Sequence, residues 1–108
     1  MFLGIDLGTS GVKAILLDAG GNLAAQASAP LTVSRPQPLW SEQAPADWWQ
    51  AADAAVRGLP AGLRAGVQGI GLAGQMHGAV LLDADDAVLR PAILWNDVRS
   101  GAQCAELE

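Results

Sequence analysis

The fold is decided by residues 4–18, which read GIDLGTSGVKAILLD. Apolar runs at residues 2–6 and 12–18 predict two strands, and the short turn between them requires that the strands lie antiparallel. Asp6 ends the first strand, directly before a turn of Gly, Thr and Ser. The chain therefore begins with a hairpin that carries a carboxylate and several hydrogen-bond donors at one end.

Residues 19–59 extend this hairpin into a sheet with one covering helix. The AGGN turn at residues 19–22 predicts a third strand within residues 23–33, and thus a three-stranded meander. The proline-rich stretch 34–45 predicts a loop, and Pro45 suits the first position of a helix that runs to about Arg57. We expect this helix to pack on the sheet through one apolar face, which comprises Trp49, Ala52, Val56 and Leu59, with Trp48 and Ala55 beside it.

The remaining residues predict shorter elements. A buried strand is expected at 66–73, ending at Gly74, because its small residues let neighbouring backbones approach closely. A second hairpin is expected at 79–89, with its turn at 84–86, and an extended piece follows to Trp95, which we place in the core. The last residues predict a helix that Asn96 or Asp97 caps. These elements make an α/β chain with a mixed sheet.

Composition favours a globular domain and argues against several functional classes. Of the 108 residues, 51% are hydrophobic and 16% are charged, which suits one domain with a core. The net charge is −5, and six scattered Lys and Arg residues give no basic surface for nucleic acid. No apolar run approaches the roughly 20 residues of a membrane span, and the N-terminus has no leader pattern. We therefore expect a soluble, cytoplasmic protein.

A single cysteine, Cys104, is present. One cysteine excludes an internal disulfide and every metal site built from several cysteines, and it fits a reducing compartment. We expect Cys104 to be a small apolar residue on the last helix.

The turn after Asp6 has the chemistry of a phosphate site. Backbone N–H groups and hydroxyls in such a turn can converge on an anion, and an adjacent carboxylate can help to hold the Mg²⁺ of a nucleotide. The pattern is not a P-loop, because Val12 separates Gly11 from Lys13 and the turn leads into a strand. It is not a dinucleotide fingerprint either. The alternative is a plain hairpin turn in which Asp6 hydrogen-bonds the local backbone.

The acid, the turn and Lys13 together resemble the first phosphate loop of the actin-like ATPase superfamily. Three further motifs follow in order, at residues 31–43 (LTVSRPQPLWSEQ), 69–83 (GIGLAGQMHGAVLLD) and 90–97 (RPAILWND). Together the four resemble the start of a carbohydrate kinase of the FGGY family, most of all those members that act on xylulose. The resemblance implies a ribonuclease-H-like fold, with residues 1–108 as the N-terminal part of the first of two domains.

The same resemblance implies the activity, the cofactors and the site residues. It implies transfer of the γ-phosphoryl group of ATP to D-xylulose, with ATP and Mg²⁺ as cofactors. The adenine site, the catalytic base and the second domain would lie outside these residues, so we expect the fragment alone to be inactive. Asp6 would organise the metal, directly or through water, and the phosphates. The nucleotide would contact Gly8, Thr9, Ser10, Gly11 and Lys13, and the sugar would contact Met76, His77, Asn96 and Asp97.

Other interpretations stay open at several positions. Lys13 also fits a solvated residue at a sheet edge, and His77 fits a structural histidine. Asp97 fits a helix cap, and Trp40 fits a core, lid or interface residue. The functional alternatives are another FGGY kinase, acting on ribulose, glycerol or a sugar acid, and a sugar-sensing actin-like protein without transfer activity. The expected partners are a ketopentose and ATP, without nucleic acid or membrane, and a homodimer of the full-length enzyme is left open.

Overall fold

A computed structural model describes all of residues 1–108. The predicted meander, first helix, fifth strand and last helix are present, whereas a short strand inside the predicted loop at 34–45 and a short helix at 61–64 were not predicted. In chain order the elements are β1 (Phe2–Leu7), β2 (Gly11–Leu17), β3 (Leu23–Pro30), β4 (Glu42–Gln43), α1 (Pro45–Arg57), α2 (Ala61–Arg64), β5 (Gly69–Gly74), β6 (Ala92–Ile93) and α3 (Gly101–Leu107). The longest helix, α1, has 13 residues, and no helix has both the length and the apolar character needed to cross a bilayer.

The four longer strands form one mixed sheet, as predicted, in the order β3-β2-β1-β5. β1, β2 and β3 make the antiparallel meander, and β5 pairs with β1 in parallel. The register places Asp6 opposite Lys13 on one side and beside Ala73 on the other. Because β2 is an internal strand, the interpretation of Lys13 as a residue at a sheet edge is wrong.

One face of the sheet packs against α1. Strand side chains alternate between the two faces, so every second residue of β1 and β2 points toward the helix. The buried cluster consists of Leu3, Val12, Ala14, Leu16, Ala29, Ala51, Ala55 and Leu59. On the helix, the buried positions are therefore alanines one turn apart, whose small side chains allow close approach to the sheet.

Trp49 is not part of this packing face, and its predicted burial is wrong. Its side chain is 76% exposed, whereas Ala52 and Val56 are half-buried at the margin of the core. Trp49 precedes Ala51 by two residues and so lies about 200° from it around the helix. The predicted helix is confirmed, but the face that packs on the sheet is centred on Ala51 and Ala55 and not on Trp49.

β5 is exposed, although its composition predicts a buried strand. Ile70 and Leu72 are both largely exposed, and the strand has a single neighbour, β1. No element within residues 1–108 packs against the outer edge of β5 or covers these two side chains. The prediction of a strand that ends at Gly74 is confirmed. The predicted burial of that strand is wrong.

Residues 1–32 and 46–75 form one compact unit, and residues 33–45 and 76–108 form a second. In the second unit, β4 pairs antiparallel with β6. The hairpin predicted at 79–89 is present, with its turn at 84–86. Leu82 and Val88 form an antiparallel bridge, and the N–H groups of Asp83 and Leu89 donate to the carbonyls of Ala87 and Leu81, both at 2.9 Å.

Two expectations for the end of the chain are wrong. The last helix, α3, begins at Gly101, with Ser100 at its N-cap, so neither Asn96 nor Asp97 caps it. The carboxylate of Asp97 is held instead by residues that precede the helix. Trp95 is exposed and does not contribute to the core.

The position of the core can be tested by truncating two leucines. Leu16 is fully buried, so Leu16→Ala should lower the free energy of unfolding by about 2–5 kcal/mol through lost contacts and a residual cavity. Leu72 is 78% exposed, so Leu72→Ala should change it by less than about 0.5 kcal/mol in the 108-residue chain. Urea unfolding followed by circular dichroism measures both. Equal losses would contradict the placement of the core.

Candidate functional site

The turn between β1 and β2 is tight and leaves little room at its glycines. The N–H of Gly8 donates to the carbonyl of Gly11 at 2.9 Å. A Cβ atom on Gly11 would lie 2.9 Å from the carbonyl oxygen of Ala29, closer than real Cβ contacts. The carbonyl of Ser10 accepts a hydrogen bond from the N–H of Leu31 at 3.0 Å. The side of the turn next to β3 is therefore fixed, and a side chain at Gly11 would displace it.

The other side of the turn is attached to the residue that follows β5. The N–H of Gln75 donates to the carbonyl of Leu7 at 2.9 Å, and the hydroxyl of Thr9 donates to Oε1 of Gln75 at 3.2 Å. Gln75 is a residue of this site that the sequence did not predict. A lone glutamine 66 positions from Thr9 gives no local signal, because only the parallel pairing of β1 with β5 brings the two together.

Asp6 and Lys13 lie opposite each other on the sheet face away from α1. Directly opposite residues of an antiparallel pair have Cβ atoms about 4.5–5.5 Å apart and point to the same face. Both side chains are exposed. They line an open groove of about 440 Å³, whose other lining residues are Gly4, Ile5, Ile15, Gly71, Leu72 and Ala73. Because Gly4 and Gly71 have no side chains, the groove stays open beside the charges of Asp6 and Lys13.

The carboxylate of Asp6 makes no hydrogen bond or ion pair, unlike two other aspartates at turns. Asp18 accepts a hydrogen bond from the N–H of Asn22 at 2.9 Å, which lowers the pKa of its carboxyl below the ordinary value. Asp83 accepts hydrogen bonds from two backbone N–H groups of its own turn. The interpretation of Asp6 as an aspartate bonded to its local backbone is therefore wrong, and its charge is free to meet a ligand.

These residues fit a magnesium ion only in company with other ligands. No group of three or more His, Cys, Asp or Glu side chains is arranged to hold a metal ion. A single exposed carboxylate is nevertheless a usual protein contribution to a magnesium nucleotide, since Mg²⁺ takes its remaining ligands from phosphate oxygens and water. Asp6 meets this requirement, and Lys13 adds a positive charge beside it.

The segment after β5 carries Met76 and His77, both exposed. His77 has φ = 64°, a left-handed conformation that is uncommon for residues other than glycine. Ala79 and Ile93 exchange two backbone hydrogen bonds, at 2.8 and 3.0 Å. A Cβ atom on Gly78 would lie 3.3 Å from the carbonyl oxygen of Ile93. β6 therefore holds the chain immediately after His77, while the imidazole remains accessible.

Asn96 and Asp97 lie after β6, and their side chains differ in their surroundings. The carboxylate of Asp97 is 1% exposed and accepts hydrogen bonds from the N–H of Ser41 at 2.7 Å and from Nη2 of Arg99 at 2.6 Å. These bonds, above all those from Arg99, hold the pKa of the Asp97 carboxyl well below its usual range. In contrast, Oδ1 of Asn96 is buried and has no hydrogen-bond partner.

Arg99 connects these residues to the proline-rich loop, and the sequence analysis missed it. Its Nη2 donates to Oε1 of Glu42 at 2.8 Å, and the same oxygen accepts from Nη2 of Arg90 at 2.7 Å. The guanidinium carbon of Arg99 lies 3.7 Å from the ring centroid of Trp40, which is half-buried. Trp40 is therefore a packing partner of a cation. Glu42 and Arg99 are 57 positions apart, so no local pattern could have paired them.

Known proteins resemble this chain over its whole length. The model of the FGGY family of carbohydrate kinases, N-terminal domain, matches residues 1–108. The xylulose kinases of Klebsiella pneumoniae and Escherichia coli strain K12 are 60% and 58% identical to it, over 110 and 109 residues. The alignments cover 100% of this chain, but only 23% and 22% of those proteins. The chain thus spans less than a quarter of the length of these relatives.

A solved structure gives the same result in three dimensions. The crystal structure of a "xyloylose kinase" from Brucella ovis matches with a TM-score of 0.94 and 56% sequence identity. The match covers 98% of this chain and 23% of that one.

The pairing of Asp97 with Arg99 should appear in the pH dependence of stability. Because folding lowers the pKa of the Asp97 carboxyl, its contribution is complete above the unfolded pKa of about 3.9 and is lost as the pH falls below that value. Asp97→Asn should therefore be less stable than the parent at pH 7, and the difference should shrink below about pH 4. Urea midpoints between pH 7 and pH 3 measure this.

The exposed pair of Asp53 and Arg57 provides the control for that experiment. Asp53→Asn removes an ion pair at the surface of α1 and should barely move the urea midpoint at pH 7. A difference between Asp97→Asn and the parent that stays constant down to pH 3 would mean that the charge of Asp97 is not the stabilising feature.

Proposed function

Because this chain belongs to the FGGY family of carbohydrate kinases, we propose that it is the N-terminal part of an ATP-dependent xylulose kinase. The enzyme transfers the γ-phosphoryl group of ATP to D-xylulose and yields D-xylulose 5-phosphate. Its mixed sheet is the predicted partial sheet of the ribonuclease-H-like, actin-like ATPase fold. The proposal is carried by the unpaired carboxylate of Asp6 beside a fixed Gly-Thr-Ser-Gly turn, in a chain 60% identical to a xylulose kinase.

The turn and its two charged neighbours form a phosphate site. Phosphoryl transfer requires mainly positioning of the phosphates and neutralisation of their charge. The turn, residues 8–11, orients phosphate oxygens through donors other than the N–H of Gly8 and the hydroxyl of Thr9, which already donate to Gly11 and Gln75. Lys13 contributes a positive charge. Asp6 holds Mg²⁺, directly or through water. When bound, Mg²⁺ supplies further neutralisation of the phosphate charge.

Met76, His77 and Asn96, which lie in the second unit, form a sugar site. The imidazole of His77 can donate to or accept from a sugar hydroxyl, and the thioether of Met76 can pack against the carbon chain. Both side chains are exposed. Oδ1 of Asn96 is a buried acceptor with no partner in the protein. Asp97, the fourth residue expected at the sugar, has both carboxylate oxygens engaged by protein donors.

Residues beyond these 108 complete the enzyme in this proposal. They supply the catalytic base, the adenine site and a second domain, so the 108-residue chain alone is inactive. The enzyme works in the cytoplasm on two small molecules, the ketopentose and ATP, without nucleic acid or membrane as partners. Association of the full-length enzyme as a homodimer is compatible with this function.

The role of Asp6 can be tested by Asp6→Ala in the full-length enzyme. We expect kcat to fall by about 100-fold or more, because the metal and the phosphates lose an electrostatic partner. The KM for xylulose should change little. Asp18→Ala is the matched control, since it removes a turn aspartate that is bonded to its own backbone, and it should keep a normal kcat. A normal kcat for Asp6→Ala at saturating ATP and Mg²⁺ would leave Asp6 a residue of the turn only.

The role of His77 can be tested by His77→Ala. We expect the KM for xylulose to rise up to about tenfold, through the loss of one hydrogen bond, with the KM for ATP unchanged. His77→Gly separates the imidazole from the backbone, because glycine adopts the left-handed conformation without strain. Both variants should bind xylulose weakly in calorimetry. Normal binding by His77→Gly would mean that His77 serves the loop conformation and not the sugar.

A further inference from the structure

The carboxylate of Asp97 has no room for a sugar hydroxyl. Its Oδ1 accepts from the backbone N–H and from Nε of Arg99, both at 2.9 Å. Its Oδ2 accepts from the N–H of Ser41 at 2.7 Å, and from Nε and Nη2 of Arg99 at 2.9 and 2.6 Å. A carboxylate offers about four acceptor positions, and this one is 1% exposed. Direct recognition of the substrate by Asp97 would require that these bonds break.

These bonds form part of a larger charged cluster. We call Trp40, Glu42, Arg90, Asp97 and Arg99 the Arg99 cluster. Two carboxylates and two guanidinium groups balance in charge, and Arg99 is the member that contacts both acids and the indole ring. The carboxylates of Glu42 and Asp97 are nearly inaccessible to water, which strengthens their hydrogen bonds. The cluster therefore fixes the proline-rich loop to the turn that follows β6.

A short chain of backbone hydrogen bonds leads from the cluster to His77. Glu42 lies opposite Ile93 in the pairing of β4 with β6, so the cluster and this small sheet share residues. Ile93 in turn exchanges two hydrogen bonds with Ala79, two residues after His77. The left-handed φ of His77 is unfavourable by itself and must be maintained by such attachments.

We infer that Asp97 and Arg99 are positioning residues, which fix the backbone of residues 77–79 through β4 and β6 and do not contact the sugar. The inference rests on the proposed function, in which His77 binds xylulose. It assigns to the ion pair a role in sugar affinity that the carboxylate of Asp97 could not exert by direct contact.

The test uses the full-length enzyme with Asp97→Asn, His77→Ala and the double variant. Asp97→Asn should raise the KM for xylulose by about five- to tenfold and leave the KM for ATP unchanged. In the His77→Ala background the same substitution should add less than about twofold, because its effect passes through His77. The backbone amides of Ala79 and Ile93 should exchange hydrogen about tenfold faster in Asp97→Asn. Asp53→Asn removes an exposed ion pair and should change none of these values.

Each outcome decides a different question. An effect of Asp97→Asn that multiplies with that of His77→Ala would mean that Asp97 acts on sugar affinity independently of His77, and it would overturn the inference. Unchanged exchange at Ala79 and Ile93 would overturn it whatever happens to sugar affinity. A normal xylulose KM in His77→Ala would instead contradict the proposed sugar site, and the exchange rates alone would then decide whether Asp97 positions the loop. If Asp97→Asn does not fold, Arg99→Lys replaces it, since lysine keeps the charge but loses the planar fork.

Discussion

The pairing of β1 on both of its edges is the constraint on which the positions of Asp6 and of the turn after it depend. Antiparallel pairing with β2 sets Asp6 opposite Lys13, and parallel pairing with β5 brings Gln75 to the carbonyl of Leu7. A shift of either register by one residue would turn Asp6 or its neighbours to the face that packs on α1. The position of a single carboxylate thus depends on two sets of backbone hydrogen bonds.

Four aspartates of the chain differ in what their carboxylates contact. Asp18 and Asp83 close their own turns, and Asp97 is held by Arg99 and by the backbone of Ser41. Asp6 has no such partner, although it too precedes a turn. An unengaged carboxylate beside a rigid turn costs no rearrangement when a ligand binds, which is why the absence of a local partner supports a binding role.

Apolar side chains of the sheet are exposed because the helices of this chain cover only part of it. α1 packs over strands β1 to β3 with alanines, while Ile70 and Leu72 on β5 stay exposed. The relatives are more than four times as long as the aligned region, since that region is 23% of their length. In the proposed full-length enzyme, residues beyond these 108 would cover the side chains of Ile70 and Leu72.

The sequence by itself determined the meander, the turn after Asp6 and the helix that begins at Pro45, because period-2 alternation, turn residues and a proline are local signals. It also placed Met76 and His77 just beyond a strand that ends at Gly74, as the structure has them. Only the tertiary structure decided that Trp49 is exposed and that Gln75 contacts the turn. It alone showed that Asp97 is closed off by Arg99 and Ser41. The contacts of Gln75 and Asp97 join residues that are far apart in the chain. No local sequence pattern indicates whether a distant group will contact a given carboxylate.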